Sequence, residues 1–184
     1  MLRIIIFSLF ALVALALGAR GCGVTPEQVE ATMLLAELNA EEGAAYRSEN
    51  RRREGVIELP SGLQLETVRL GDGVVPKIDE WVVVHYRGQH LDGRVFEDSW
   101  RRGDPAVLPV NRAIVGWQQA LVAMPVGSRV RLVIPPELAY GRAGGGPIGP
   151  EETLLFEVEL LERVDPPRAQ ERDALQQAVP GLSR

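Results

Sequence analysis

His85, His90 and Cys22 are all the imidazoles and thiols this chain has. No serine stands in a nucleophile elbow, and no spacing of His, Cys and carboxylate residues forms a metal-ligand cluster. "GRAGGGPIG" is rich in glycine, but it lacks the Lys-Ser/Thr ending of a phosphate loop and runs into a strand pattern. It reads as a turn or flap. His85 lies on the face opposite Tyr86 in an alternating stretch and reads as a surface residue. What remains is aromatic and aliphatic. Tyr86, Phe96, Trp117, Tyr140 and Phe156 stand at strand ends or beside loops, in a chain that is only 5% aromatic. Composition alone assigns them to the core.

The elements that must position these rings are legible as periodicities. In "GWQQALVAMPVG", Trp117, Ala120, Leu121 and Met124 fall at i, i+3, i+4 and i+7, one face of a short helix over residues 116 to 124. That helix puts its largest side chain in its first turn, beside Gly116. Strand patterns surround it. "GLQLETVRLG" alternates. Val82, Val84 and Tyr86 share one face, as do Val130, Leu132 and Ile134. Leu154, Phe156, Val158 and Leu160 share a face opposite Glu157 and Glu159. Such alternation suits an antiparallel sheet with one buried and one wet face. The expected class is α+β, an antiparallel sheet around one short helix.

Upstream, "TPEQVEATMLLAELNAEEGAAYRSENRRREG" reads as a helix with Thr25 as cap, Pro26 at the first helical position and Gln28 completing a capping box. Gly43 is expected to weaken its middle, and "RSENRRREG" to fray as a solvated face. Val29, Met33, Ala36 and Ala40 form a broken apolar stripe that needs a partner. The tail from Pro166 to Arg184 is polar and bounded by proline.

The 184 residues allow one medium domain with extensions, and 46% hydrophobic content supports a core. A net charge of -5 argues against nucleic-acid binding. Met1-Leu2-Arg3 followed by the apolar run from Ile4 to Leu17 reads as a secretory signal, shorter than the roughly 20 residues of a membrane-spanning helix. With a single cysteine no internal disulfide is possible. "ARGC" resembles a bacterial lipoprotein processing site, with Cys22 as the lipidated residue and membrane attachment through that lipid. The alternative is ordinary cleavage that leaves a free thiol. The expected organisation is a signal peptide over 1–21, an anchor and helix over 22–55, a folded domain over 56–165 and a tail over 166–184.

"VHYRGQHLDGRVFEDS", "PVNRAIVGWQQALVAMPVGSRVRLVIPPELAYG" and "GGPIGPEETLLFEVELL" together resemble the FKBP family of peptidyl-prolyl cis-trans isomerases, over roughly residues 60 to 163. "GVIELPSGLQLE" and "GGPIGPEETL" resemble its macrophage-infectivity-potentiator (Mip) branch of exported bacterial members, whose preceding helices pair two subunits. The segment here is shorter than in that branch, so a monomer or weak dimer is expected. The resemblance implies a pocket between helix and sheet, with Trp117 as floor and Tyr86, Phe96, Ile114, Tyr140 and Phe156 as walls. It implies that Ile148 comes from the flap. Glu97 would take a hydrogen bond from Tyr86 and pair with Arg102. Asp98, one residue on, is the competing acid.

Leu108 stands where the family usually has Phe, Ala113 where it has a larger aliphatic, and Glu97 where it has Asp. Such a pocket is somewhat roomier. The implied partners are proline-containing unfolded or exported polypeptides, and macrolide inhibitors as ligands of the same pocket. No cofactor is implied. The implied location is the bacterial envelope or periplasm, and the implied activity is isomerisation of X-Pro bonds. Its rivals are a non-catalytic binding module, a chaperone and a structural envelope lipoprotein.

Overall fold

The computed structural model describes residues 25–165. The expected signal peptide, Cys22 and the C-terminal tail lie outside them. The chain divides into two units between Leu34 and Leu35, a point that falls within its first described helix. That helix, α1, spans Pro26–Asn50. Its start carries the expected capping box: Gln28 N–H donates to Thr25 Oγ1 at 3.2 Å, and Thr25 N–H to Gln28 Oε1 at 2.9 Å. Among the described residues no helix is long and apolar enough to cross a membrane.

Among the described residues seven strands form one sheet: β1 (Val56–Glu58), β2 (Gln64–Arg69), β3 (Trp81–Gln89), β4 (Val95–Asp98), β5 (Ala106–Pro109), β6 (Arg129–Ile134) and β7 (Leu154–Val164). The order is β1-β2-β6-β7-β3-β4, with β5 also on β3, and every pairing is antiparallel. The inner face carries the expected residues of β3, β6 and β7, all buried. The outer face is a ladder of ion pairs, Arg69–Glu159 at 2.6 Å and Arg131–Glu157 at 3.7 Å among them. His85 belongs to that face, where it bonds Ser99 Oγ at 2.9 Å and stacks on Trp100.

A four-residue helix, α2 (Ser99–Arg102), follows β4. The helix that covers the inner face, α3, spans Val115–Leu121. It is shorter than the periodicity predicts, because the chain turns before Met124. That side chain is still buried with Trp117, Ala120 and Leu121.

Two expectations are corrected. The "RSEN" end of α1 does not fray: Asn50 is buried and its Nδ2 donates to Gln64 Oε1 at 2.8 Å. Gln64 Nε2 reaches the Arg47 carbonyl at 2.8 Å and Glu58 Oε2 at 2.7 Å. Nor is Gly43 a weak point. It is buried against Thr153, where a Cβ would overlap the threonine hydroxyl, and close approach outweighs the loss of helix propensity. The same network explains β2, whose most buried residue is the amide Gln64 and not one of its apolar side chains. A buried polar group is tolerated where its hydrogen bonds are made.

Candidate active site

Trp117 sits in the first turn of α3 because Gly116 lets that turn lie flush on β6. A Cβ at Gly116 would stand 2.6 Å from Ile134 Cγ2. The indole is thereby pressed onto the sheet and fully buried. Tyr86 from β3 meets it edge-on at 5.1 Å between centroids, and Phe156 from β7 at 5.5 Å. Phe96 from β4 continues the series on Phe156 at 5.6 Å. All three contacts are within 10° of perpendicular (82°, 83° and 82°), the geometry that sets a ring's positive edge on its neighbour's negative face.

Gly88 makes room for this on β3. A Cβ there would overlap the Phe96 ring and stand 2.9 Å from Phe156 Cε1. Periodicity gave no hint of Gly88, since a glycine's missing side chain leaves no mark on an apolar pattern.

A β-bulge resolves the two acids. Gly88 pairs with Glu97 and Gln89 with Val95, so Phe96 is an extra residue on β4. Phe96 therefore joins the inner rings while Glu97, its neighbour, stands opposite Gly88 on the same parity as Tyr86. Glu97 forms an ion pair with Arg102. Asp98 is opposite Arg87 and bonds it at 2.8 Å, while its other oxygen caps α2 by accepting Arg101 N–H at 3.0 Å. Asp98 is thus not brought to the rings. Burial alone would raise its carboxyl, but the Arg101 N–H and the Arg87 guanidinium outweigh this and hold it below its ordinary value.

The expected Tyr86–Glu97 hydrogen bond is not formed. The Tyr86 hydroxyl and Trp117 Nε1 are buried with no hydrogen-bond partner among the described residues. Burial pushes the Tyr86 phenol up, and the Arg102 guanidinium, near but not in good hydrogen-bonding geometry, partly offsets it. Arg102 is the charged neighbour of that phenol, and Glu97 is its ion-pair partner.

Leu108, Ala113 and Ile114 are buried in the same core as Trp117. So is Ile148, which the flap presents through a tight turn: Gly145 N–H donates to the Ile148 carbonyl at 2.9 Å, and Ile148 N–H donates to the Gly145 carbonyl at 3.0 Å. Tyr140 is half-buried against this core, beside Gly145, and burial raises its phenol above the ordinary value. It remains a protonated hydrogen-bond donor at neutral pH.

An antiparallel sheet closed by one short helix thus brings aromatic rings from β3, β4, β7 and α3 together at their junction, with the Tyr86 hydroxyl and Trp117 Nε1 buried among them. The family described as FKBP-type peptidyl-prolyl cis-trans isomerase matches residues 73–161, and the domain amino-terminal to it matches residues 23–66. The chain is 52% identical over 124 residues to the FKBP-type 22 kDa peptidyl-prolyl cis-trans isomerase of Escherichia coli K12, covering 67% of this chain and 60% of that protein. It is 43% identical over 127 residues to outer membrane protein MIP of Legionella longbeachae, covering 68% and 54%. The chain therefore spans little more than half the length of these curated relatives. Among solved structures, FkpA from Escherichia coli aligns with a TM-score of 0.70 at 34% identity, over 87% of this chain and 82% of that one. A peptidyl-prolyl cis-trans isomerase from Pseudomonas syringae pv. tomato aligns at 0.65 and 33% identity, over 71% and 96%. The chain belongs to the FKBP-type peptidyl-prolyl cis-trans isomerase family.

Proposed function

We propose that this chain accelerates cis-trans isomerisation of X-Pro bonds in exported or unfolded polypeptides. The observation that carries this reading is the fully buried indole of Trp117, edge-on to Tyr86 and Phe156 at the mouth of one short helix. An X-Pro bond interconverts slowly because amide resonance opposes rotation, by about 18–20 kcal/mol in peptides generally. In the twisted transition state that resonance and much of the charge separation are lost. Water stabilises the planar, polar amide better than the twisted one. A dry aromatic surface under the proline ring removes that advantage, and each ~1.4 kcal/mol gained gives about tenfold in rate. Ile114, Phe96 and Ile148 enclose the ring, and the protonated Tyr140 hydroxyl positions a substrate carbonyl. No proton is transferred. Macrolide inhibitors would occupy the same surface, with Leu108 and Ala113 leaving it roomier.

A coupled isomerisation assay on a short proline peptide tests the reading, and turnover no faster than the uncatalysed rate would sink it. The acids provide the sharper test. Glu97→Gln should lower kcat/KM by about threefold to tenfold, the loss expected when a charge-assisted bond to Arg102 is weakened. Asp98→Asn should leave turnover unchanged, since its partners face away from the rings. The Asp98 contribution to stability is present above the ordinary carboxylate range of about pH 4 and is lost as pH falls through its lowered folded value. If Asp98→Asn impairs turnover instead, the assignment of the two acids is reversed.

A chaperone role is the second reading, favoured by apolar side chains on α1 such as Met33 and Leu38, 68% and 54% exposed. A Trp117 variant that suppresses aggregation as well as the parent would support it. The same side chains are where a weak dimer would form. We further propose that the protein is exported to the bacterial envelope with lipid on Cys22. Cys22→Ala should then move it from the membrane to the soluble fraction; if both fractionate as soluble, the anchor is lost and simple secretion stands.

A further inference from the structure

His90 is buried, at 6% exposure, and takes no part in the chemistry above. Its backbone is fixed by the turn between β3 and β4, where His90 N–H donates to the Arg94 carbonyl at 2.9 Å and the His90 carbonyl accepts Gly93 N–H at 3.0 Å. The ring so placed has two neighbours. One ring edge meets the Phe96 ring at 5.1 Å between centroids and 68° between planes. Its Nδ1 bonds Glu152 Oε1. The other oxygen of that carboxylate accepts Gly149 N–H at 2.7 Å, and Gly149 follows Ile148 directly. One imidazole therefore joins a wall ring of the candidate site to the root of the flap. The stretch around Glu152 is held from the other side by α1, where Asn39 Nδ2 donates to the Pro150 carbonyl at 2.8 Å and Arg47 bonds Thr153 Oγ1.

We propose that His90 is a positioning residue: its ring sets Phe96 and, through Glu152, seats Ile148, so that wall and flap are already in place before a substrate arrives. The proposal rests on the isomerase reading for its effect on turnover, but not for its effect on the flap. A site held ready loses little binding energy to ordering its own loop. Releasing one tie should therefore weaken binding of the ground state and the transition state alike, raising KM at constant kcat.

Two full-chain variants separate the two contacts. His90→Phe keeps an aromatic edge on Phe96 and removes the donor to Glu152. His90→Asn puts an amide N–H near the position of Nδ1 and removes the ring. Amide hydrogen exchange at Ile148 and Gly149 needs no turnover. It should be about tenfold or more faster in His90→Phe, as expected for loss of a charge-assisted hydrogen bond, and close to the parent in His90→Asn. In the proline-peptide assay both variants should raise KM about threefold to tenfold with kcat held. Unchanged exchange at both amides in His90→Phe overturns the proposal, as does a fall in kcat at constant KM in either variant. Absence of turnover in the parent would remove the isomerase reading, and the exchange measurement would still decide the role of His90.

Discussion

Trp117→Leu should give a folded protein whose kcat/KM on a proline peptide falls at least about tenfold, or about 1.4 kcal/mol of lost transition-state stabilisation. Leucine keeps apolar bulk on the face that α3 turns to the sheet, so the core closes. What it lacks is the two perpendicular ring contacts, to Tyr86 at 5.1 Å and to Phe156 at 5.5 Å. Such pairs contribute about 0.5–1.5 kcal/mol each beyond the area they bury. Trp117→Ala is the harsher change. Emptying a fully buried tryptophan site costs about 3–5 kcal/mol, a large part of the roughly 5–15 kcal/mol that holds a domain folded. The alanine variant should therefore unfold at markedly lower denaturant, and its turnover would report folding more than chemistry. The leucine variant decides. If it binds and turns over proline peptides like the parent, Trp117 is a core residue and no more.

A chain that starts at residue 56 should be the second large loss. It removes Asn50 and the Arg47 carbonyl from Gln64, and Arg47 and Asn39 from the 149–153 loop. Each buried polar group deprived of its partner costs about 1–3 kcal/mol, less where water can reach it. Losing two or three such bonds should lower the melting temperature by on the order of 10 °C. It should also raise KM, because the loop carries the root of the flap. A chain that starts at residue 35 keeps every one of these contacts and should melt near the parent. Equal melting temperatures for the two truncations would show that α1 merely rests on the domain.

The candidate site illustrates what was readable and what was not. The strands of the inner face and the covering helix, with Tyr86, Phe156 and Trp117 on them, follow from local periodicity, since a half-buried strand repeats every two residues and a surface helix every 3.6, whereas Phe96 and Tyr140 are expected at the site only through the family resemblance. The same local rule cannot see a bulge. Phe96 and Glu97 are adjacent, and alternation alone would send them to opposite faces. The pairing of Gly88 with Glu97 and Gln89 with Val95 makes Phe96 the extra residue, so that it meets Phe156 while Glu97 keeps the parity of Tyr86.

The chain's own residues thus determined an antiparallel sheet and a short helix with tryptophan in its first turn. Tertiary structure alone decided where polar residues and glycines matter. Asn39 and Pro150 lie 111 residues apart, and Gln64 finds Asn50 on another element. An amide, an imidazole or a carboxylate carries the same local signal whether it faces water or a buried partner, and only the packing supplies the partner. Gly43 reads in sequence as a weak point, and nothing in the local pattern marks Gly88 or Gly116. In the fold each is where two surfaces come closer than a methyl group allows.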